Sequence, residues 1–128
     1  MMRKIRCIVV DDESHIRVFM RAVLQRVGLD VVGEAANGDE GLSLVEKEKP
    51  DLVLMDINMP IKTGDEVIGL MKGKSPRSKI IMLTSVADAE TITRCIEAGA
   101  DDYIRKDTPY QEMTVLIKEI TGDMEVEP

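Results

Sequence analysis

No run of about 18 apolar residues occurs in the 128-residue chain, so the sequence holds no candidate membrane-spanning helix. The opening Met1-Met2-Arg3-Lys4-Ile5-Arg6 is basic, but the apolar stretch after it stops at Asp11. That is too short for a secretory leader and reads as a buried strand. A basic excess is also missing: 17 Lys and Arg stand against 24 Asp and Glu, for a formal net charge of −7. Phosphate backbones are held by clustered Lys and Arg, so direct nucleic-acid binding within this chain is not expected. Arg3, Lys4 and Arg6 are the densest basic run, and they read as solvated residues flanking a strand. The two cysteines, Cys7 and Cys95, lack CxxC spacing and sit in apolar surroundings, which suits buried free thiols in a reducing cytoplasm. His15 has no second histidine with which to share a metal and falls in the first turn of a helical pattern, so a solvent-facing role is expected. Gly33, Gly38 and Gly41 lack the Lys and the spacing of a P-loop and read as turn and packing glycines. Internal repeats, low-complexity segments and linkers are absent.

What is present suits one soluble domain: the chain is 44% hydrophobic and 32% charged, enough apolar material for a single core. Five short apolar runs are candidate strands, at Ile5 to Val10, Leu29 to Val32, Leu52 to Met55, Ile80 to Leu83 and Tyr103-Ile104. They are mostly continuous and rich in Ile, Val and Leu, as strands buried on both faces require. Between them the period becomes helical. Ile16, Phe19, Met20, Val23, Leu24 and Val27 follow helical spacing up to Gly28. A second helix is expected over about Asp39 to Lys47, after Asn37-Gly38, and a third over about Asp65 to Lys72, burying Val67, Leu70 and Met71. Ile92, Cys95, Ile96 and Gly99 mark one face of a fourth, and Met113, Leu116, Ile117 and Ile120 the buried face of a fifth. The fifth opens with Thr108-Pro109-Tyr110-Gln111, a capping-box pattern with Pro at the first helical position. Strict alternation with short connections implies a parallel sheet covered by helices on both faces. Residues 1–121 are read as the domain and residues 122–128 as an acidic, frayed C-terminal tail.

Polar residues suited to chemistry follow four of the five runs: Asp11 and Asp12 the first, Asp56 the third, Thr84 the fourth and Lys106 the fifth. Open α/β sheets bind ligands in the crevice outside the carboxyl ends of their strands. Three carboxylates gathered there resist ionisation unless a cation is present. A hard divalent ion with oxygen ligands removes that conflict, and Mg²⁺ (or Mn²⁺) fits best. One carboxylate can then act as nucleophile on a phosphoryl donor, with a lysine balancing charge on the group in transfer.

These residues carry a resemblance. Val9-Val10-Asp11-Asp12-Glu13, Leu54-Met55-Asp56-Ile57-Asn58-Met59-Pro60 with Gly64, Met82-Leu83-Thr84-Ser85, and Gly99-Ala100-Asp101-Asp102-Tyr103-Ile104-Arg105-Lys106 occur in the order found in response-regulator receiver domains of two-component signalling. The match covers essentially the whole chain, and the combination is specific where each fragment alone is weak. The resemblance implies a flavodoxin-like (βα)5 fold, a five-stranded parallel sheet of order 2-1-3-4-5. It implies Asp56 as phospho-acceptor and Asp11, Asp12, Asp56 and the backbone carbonyl of Asn58 as metal ligands. It further implies Thr84 and Lys106 as phosphoryl-binding groups, with Asp56 and Lys106 the catalytic pair, and Tyr103 as a switch aromatic. The implied partners are a sensor histidine kinase or phosphotransfer protein and a downstream protein target, met through the fourth helix, fifth strand and fifth helix. A phosphorylation-dependent homodimer through the same surface is a further expectation. Such a chain is no enzyme beyond its own phosphorylation and dephosphorylation, and it is expected in the cytoplasm.

The sequence departs from the family pattern at two positions. Asp107 stands where Pro commonly follows the lysine, and a cis bond before Asp costs about 3–4 kcal/mol against roughly 0.5–1 before Pro. Val86, two residues after Thr84, occupies a position that is often polar in relatives. Two other functions compete. A haloacid-dehalogenase-like phosphohydrolase also forms an aspartyl phosphate, but it needs a second Asp two residues after the nucleophile, where this chain has Asn58. A pseudo-receiver, folded but never phosphorylated, is disfavoured by the intact set Asp11, Asp12, Asp56, Thr84 and Lys106.

Overall fold

A computed structural model describes residues 3–59, 64–85 and 89–124. The chain alternates β1 (Arg6–Val10), α1 (Ser14–Val27), β2 (Asp30–Ala35), α2 (Gly38–Glu48), β3 (Leu52–Asp56), α3 (Gly64–Lys74), β4 (Lys79–Thr84), α4 (Ala89–Ala98), β5 (Asp102–Arg105) and α5 (Tyr110–Thr121). All strand pairings are parallel and the sheet order is β2-β1-β3-β4-β5, the expected flavodoxin-like arrangement. Pro60, Val86 and the last residues of the acidic tail lie outside the described residues.

The three inner strands show why their sequences do not alternate. Their side chains point to opposite faces in turn, and each face meets its own apolar layer. Ile8, Val10, Val53, Met55, Ile80 and Met82 join the core under α2, α3 and α4, built with Val45, Val67, Ile68, Met71 and Cys95. Cys7, Val9, Leu52, Leu54, Ile81 and Leu83 face the other way, onto Met20, Val23 and Leu24 of α1 and Met113 and Ile117 of α5. Both cysteines are fully buried and free, as expected, and burial pushes the Cys7 thiol up to about 12, which keeps it protonated.

Several helix faces differ from the periodic reading. In α3 Ile68 is buried and Leu70 is 46% exposed; in α4 only Cys95 is buried, and Ile96 is 49% exposed. Each helix covers the sheet with a narrow stripe, so the apolar residue one step off that stripe faces solvent. Leu116 and Ile120 pack at the margin of the α5 layer, half-buried. Pro109 is the N-cap of α5 and not its first helical residue, and no side chain caps that end. By contrast, Gly28 closes α1 in the left-handed conformation at φ 94°. Asn37 caps α2 by accepting from the Glu40 N–H. Gly41 is a packing glycine as read: a Cβ there would lie 3.0 Å from the Val10 methyls.

The amino ends of the strands are tied by one buried carboxylate. Asp51, 4% exposed, accepts from Arg3 Nη1 at 2.6 Å, Arg3 Nη2 at 2.9 Å and the Arg6 backbone N–H at 2.8 Å. Arg6 in turn donates to Glu48 Oε1 at 3.0 Å and to the Glu48 carbonyl at 2.7 Å. Arg3 and Arg6 are therefore not merely solvated flanks, as the basic run suggested; each has an acidic partner distant in sequence. Burial alone would raise the Asp51 pKa, but the Arg3 and Arg6 donors and the Arg77 charge outweigh it and hold it below its ordinary value.

A depressed folded-state pKa adds stability that is complete above the unfolded-state value, near 3.8, and is lost as pH falls through the folded value. Asp51→Asn is thus expected to lose about 1–3 kcal/mol at pH 7. Urea unfolding should show the gap to wild type narrowing below pH 4, and a gap constant with pH would refute the charge assignment. A second test lies at the start of α3, where a Cβ on Gly64 would stand 2.8 Å from Ile57 Cβ and 3.0 Å from its backbone Cα. Backbone cannot yield as a side-chain tip can, so Gly64→Ala should lower stability by about 1–3 kcal/mol in the same assay.

Candidate functional site

Asp11 follows β1, Asp56 ends β3, Thr84 ends β4 and Lys106 follows β5. Strand register brings them together: Val10 pairs with Met55, Asp56 with Leu83 and Thr84 with Arg105. The turns beyond the strands remain laced by backbone bonds, from Asp11 N to Ala35 O at 3.0 Å, Ile57 N to Leu83 O at 3.2 Å and Lys106 N to Thr84 O at 2.8 Å. β2, at one edge of the sheet, contributes the Ala35 carbonyl.

Asp11, Asp56 and Thr84 are almost wholly buried, an unusual place for two carboxylates. The Lys106 ammonium lies 2.9 Å from Asp11 Oδ2, 3.0 Å from Asp56 Oδ2 and 3.3 Å from Glu13 Oε1. Its approach to Asp11 Oδ2 is close enough for an ion pair but off the angle of a hydrogen bond, and that buried oxygen has no hydrogen-bond donor. The other Asp11 oxygen accepts from the Glu13 N–H at 2.9 Å, and Asp56 Oδ1 accepts from the Asn58 N–H at 2.9 Å. Arg17 braces the loop from behind, its Nη1 donating to the Asp11 carbonyl at 2.6 Å. Asp12 and Asn58 stand exposed at the rim.

Electrostatics follow from this crowding. Burial is the largest influence on Asp56 and raises its pKa, and the Asp11 charge adds to the rise; the Asn58 N–H and Lys106 oppose it without prevailing. For Lys106 burial acts downward, but contact with Asp11 and Asp56 wins and holds the ammonium above its ordinary value. One carboxylate oxygen from each of Asp11, Asp12, Glu13 and Asp56 lies within 4.8 Å of all the others. Glu13 is taken up by Lys106 and His15. The all-oxygen set of Asp11, Asp12 and Asp56, its excess of negative charge over the single lysine and an Asp11 oxygen without a hydrogen-bond donor fit a hard divalent cation of the Mg²⁺ type.

The expected residues therefore meet in one crevice, apart from Tyr103. That side chain is 43% exposed on β5. Asp107, the departure after Lys106, is held by Arg105 at 3.1 Å, and no cis peptide bond occurs among the described residues. His15 is solvent-facing as read, with Glu13 Oε2 3.3 Å from its Nε2. Glu13 was missed. It sits beside the acidic pair, but nothing in the sequence says that its side chain turns toward Lys106.

A family model described as response regulator receiver domain matches residues 7–118. Protein CcdB of Bacillus subtilis is 40% identical over 111 residues, covering 87% of this chain and 91% of that protein. Chemotaxis protein CheY of Thermotoga maritima is 34% identical with the same coverages, 87% and 91%. A putative transcriptional regulator of Pseudomonas aeruginosa is 35% identical over 115 residues, covering 90% of this chain and 56% of that protein. A CheY-like receiver domain protein from Methanospirillum hungatei superposes with a TM-score of 0.85 at 31% identity, over 94% of this chain and 96% of that one.

Because burial and the Asp11 charge disfavour an ionised Asp56, Asp56→Asn should make the metal-free protein more stable in urea unfolding. Mg²⁺ should raise the thermal midpoint of the wild type more than that of Asp56→Asn, since a ligand stabilises the state that binds it. A variant less stable than wild type without metal would show that Lys106 already compensates the charge in full.

Proposed function

The chain belongs to the response regulator receiver family of two-component signalling, and from that premise we propose that it is a switch phosphorylated on Asp56. The observation that supports this most directly is a lysine, its side chain 8% exposed, within 3.0 Å of two buried carboxylates at the carboxyl ends of parallel strands. In the proposed reaction Asp56 Oδ attacks the phosphorus of a phosphohistidine on a sensor kinase or phosphotransfer protein. A carboxylate oxygen–phosphorus bond forms, the phosphorus–nitrogen bond breaks, and its electron pair returns to the imidazole. Asp11, Asp12, Asp56 and the Asn58 backbone carbonyl would hold Mg²⁺ or Mn²⁺, which when bound offsets negative charge on the phosphoryl oxygens. Lys106, already in contact with Asp56, pairs with the transferred group, and the Thr84 hydroxyl donates to one of its oxygens.

The output is a population shift in which Thr84 and its loop close on the doubly charged group, with Tyr103 turning inward. Each tenfold change in active fraction needs about 1.4 kcal/mol of differential stabilisation, within reach of one or two charge-assisted hydrogen bonds. The surface of α4, β5 and α5 then meets a downstream protein or a second copy of the chain. No helix among the described residues is long and apolar enough to cross a membrane. The cytoplasmic setting belongs to the proposed exchange with a sensor kinase. Neither competing function gains an observation: Asn58 cannot transfer protons as a hydrolase acid would, and the pocket of a pseudo-receiver would lack this set.

Incubation with acetyl phosphate should add one phosphoryl mass, dependent on both Mg²⁺ and Asp56. Asp56→Ala should remain folded and unlabelled by intact mass spectrometry. A folded Asp56→Ala protein that still forms an acid-labile phosphate at the wild-type rate would sink the assignment. Rapid consumption of acetyl phosphate with no lasting adduct would return the hydrolase reading.

A further inference from the structure

Glu13 is the N-cap of α1, yet its side chain makes no cap hydrogen bond. N-cap side chains that bond the first turn are the short ones of Ser, Thr, Asp and Asn, so a glutamate at this position is left to find another partner. Here Oε1 reaches across the mouth of the crevice to Lys106 Nζ at 3.3 Å, and Oε2 meets His15 Nε2 at 3.3 Å. Lys106 is 8% exposed at its side chain and Glu13 47%, so the pair spans the boundary between interior and solvent. An ammonium has three N–H donors, and the described neighbours of this one are three carboxylates: Asp11, Asp56 and Glu13. Asp11 and Asp56 are pinned by backbone N–H donors of their own, at 2.9 Å each. Glu13 is the member of the trio that can leave.

We propose that Glu13 is a positioning residue that restrains Lys106 in the resting protein and competes with the phosphoryl group for it. This rests on the assignment of Asp56 as phospho-acceptor. A phosphoryl group on Asp56 needs the ammonium re-aimed, and the part of that ammonium engaged by Glu13 must be surrendered first. Glu13 also adds a negative charge at the entry, facing any phosphorylated donor. Both effects slow phosphorylation, and both disappear when the carboxylate is neutralised.

The test compares wild type, Glu13→Gln, Glu13→Asp and the control Glu119→Gln, an exposed acid in the last turn of α5. Labelling by acetyl phosphate in saturating Mg²⁺ should run roughly two- to fivefold faster in Glu13→Gln, the range a half-exposed ion pair supplies. The advantage should shrink at high salt, because an exposed charge is screened. Glu13→Asp keeps the charge on a shorter arm and should fall between the two; Glu119→Gln should match wild type. In the unphosphorylated protein, the ¹⁵N resonance of the Lys106 ammonium should move in Glu13→Gln and stay in place in Glu119→Gln. Mg²⁺ affinity by calorimetry should change less than about threefold, whereas loss of a metal ligand or its support costs roughly ten- to a hundredfold. A Glu13→Gln protein with unchanged labelling and an unmoved Lys106 resonance overturns the proposal while leaving the Asp56 assignment intact. A large loss of Mg²⁺ affinity overturns it in favour of metal ligation by Glu13. No labelling of folded wild type overturns the Asp56 assignment and the rate effect with it, even where the Lys106 resonance moves.

Discussion

Everything at the carboxyl end of this sheet depends on one ammonium held between carboxylates that would otherwise repel each other. Lys106 is the cation that the carboxylates of Asp11, Asp56 and Glu13 share, and two of those three are sealed from water. Removing a carboxylate from water costs several kcal/mol even after relaxation, and one lysine shared three ways repays this incompletely. The raised pKa of Asp56 and the donorless oxygen of Asp11 are two expressions of the same shortfall. Added positive charge therefore has a place to act, and the crevice is poised for a cation without being built around a rigid cage.

The opposite end of the sheet solves the same problem differently. Asp51 is as buried as its counterparts, but Arg3 engages it with both terminal nitrogens, the Arg6 N–H adds a third donor, and Arg77 stands 3.8 Å away. Its carboxyl is held below the ordinary range, where Asp56 is held above it. Satisfied charge at the amino ends and unsatisfied charge at the carboxyl ends make one pole of the sheet a fixed anchor and the other sensitive to what binds. The fold thereby separates the groups that carry stability from the groups that carry chemistry.

The sequence discloses the fold through a property that survives crude reading. Continuous Ile, Val and Leu in Leu52 to Met55 and Ile80 to Leu83 fit strands buried on both faces, and their alternation with helical periods implies a parallel sheet. Residue types at strand ends then disclose the site, since Asp11, Asp56 and Lys106 fall where such sheets bind ligands. What stayed hidden depends on angles that periodicity does not carry. Leu70 and Ile68 both fit a helical stripe, and only the azimuth at which α3 lies on the sheet selects Ile68. Thr108-Pro109 spells a cap, but the chain enters α5 one residue later than the pattern suggests, with Pro109 as the cap. The partnerships of Arg3 and Arg6 with acids more than forty positions away are tertiary facts, invisible to local charge counting.

Glu13 belongs to that last group, and its placement follows from how β1 runs into α1. Asp11 turns the chain by accepting the Glu13 N–H, and Arg17, one turn into the helix, holds the Asp11 carbonyl while approaching Glu34 at 3.5 Å. These two contacts fix where α1 begins relative to the crevice. With the helix start fixed there, a side chain at position 13 either folds back on its own N–H groups or reaches over the opening. The second choice is favoured because a nearly buried ammonium is a stronger partner for a carboxylate than an exposed helix end, whose attraction is about 0.3–1 kcal/mol. The acid best placed to restrain the lysine is thus set by the same turn that positions the first metal-ligand candidate. Restraint of Lys106 and assembly of the acidic crevice are two consequences of one local structure.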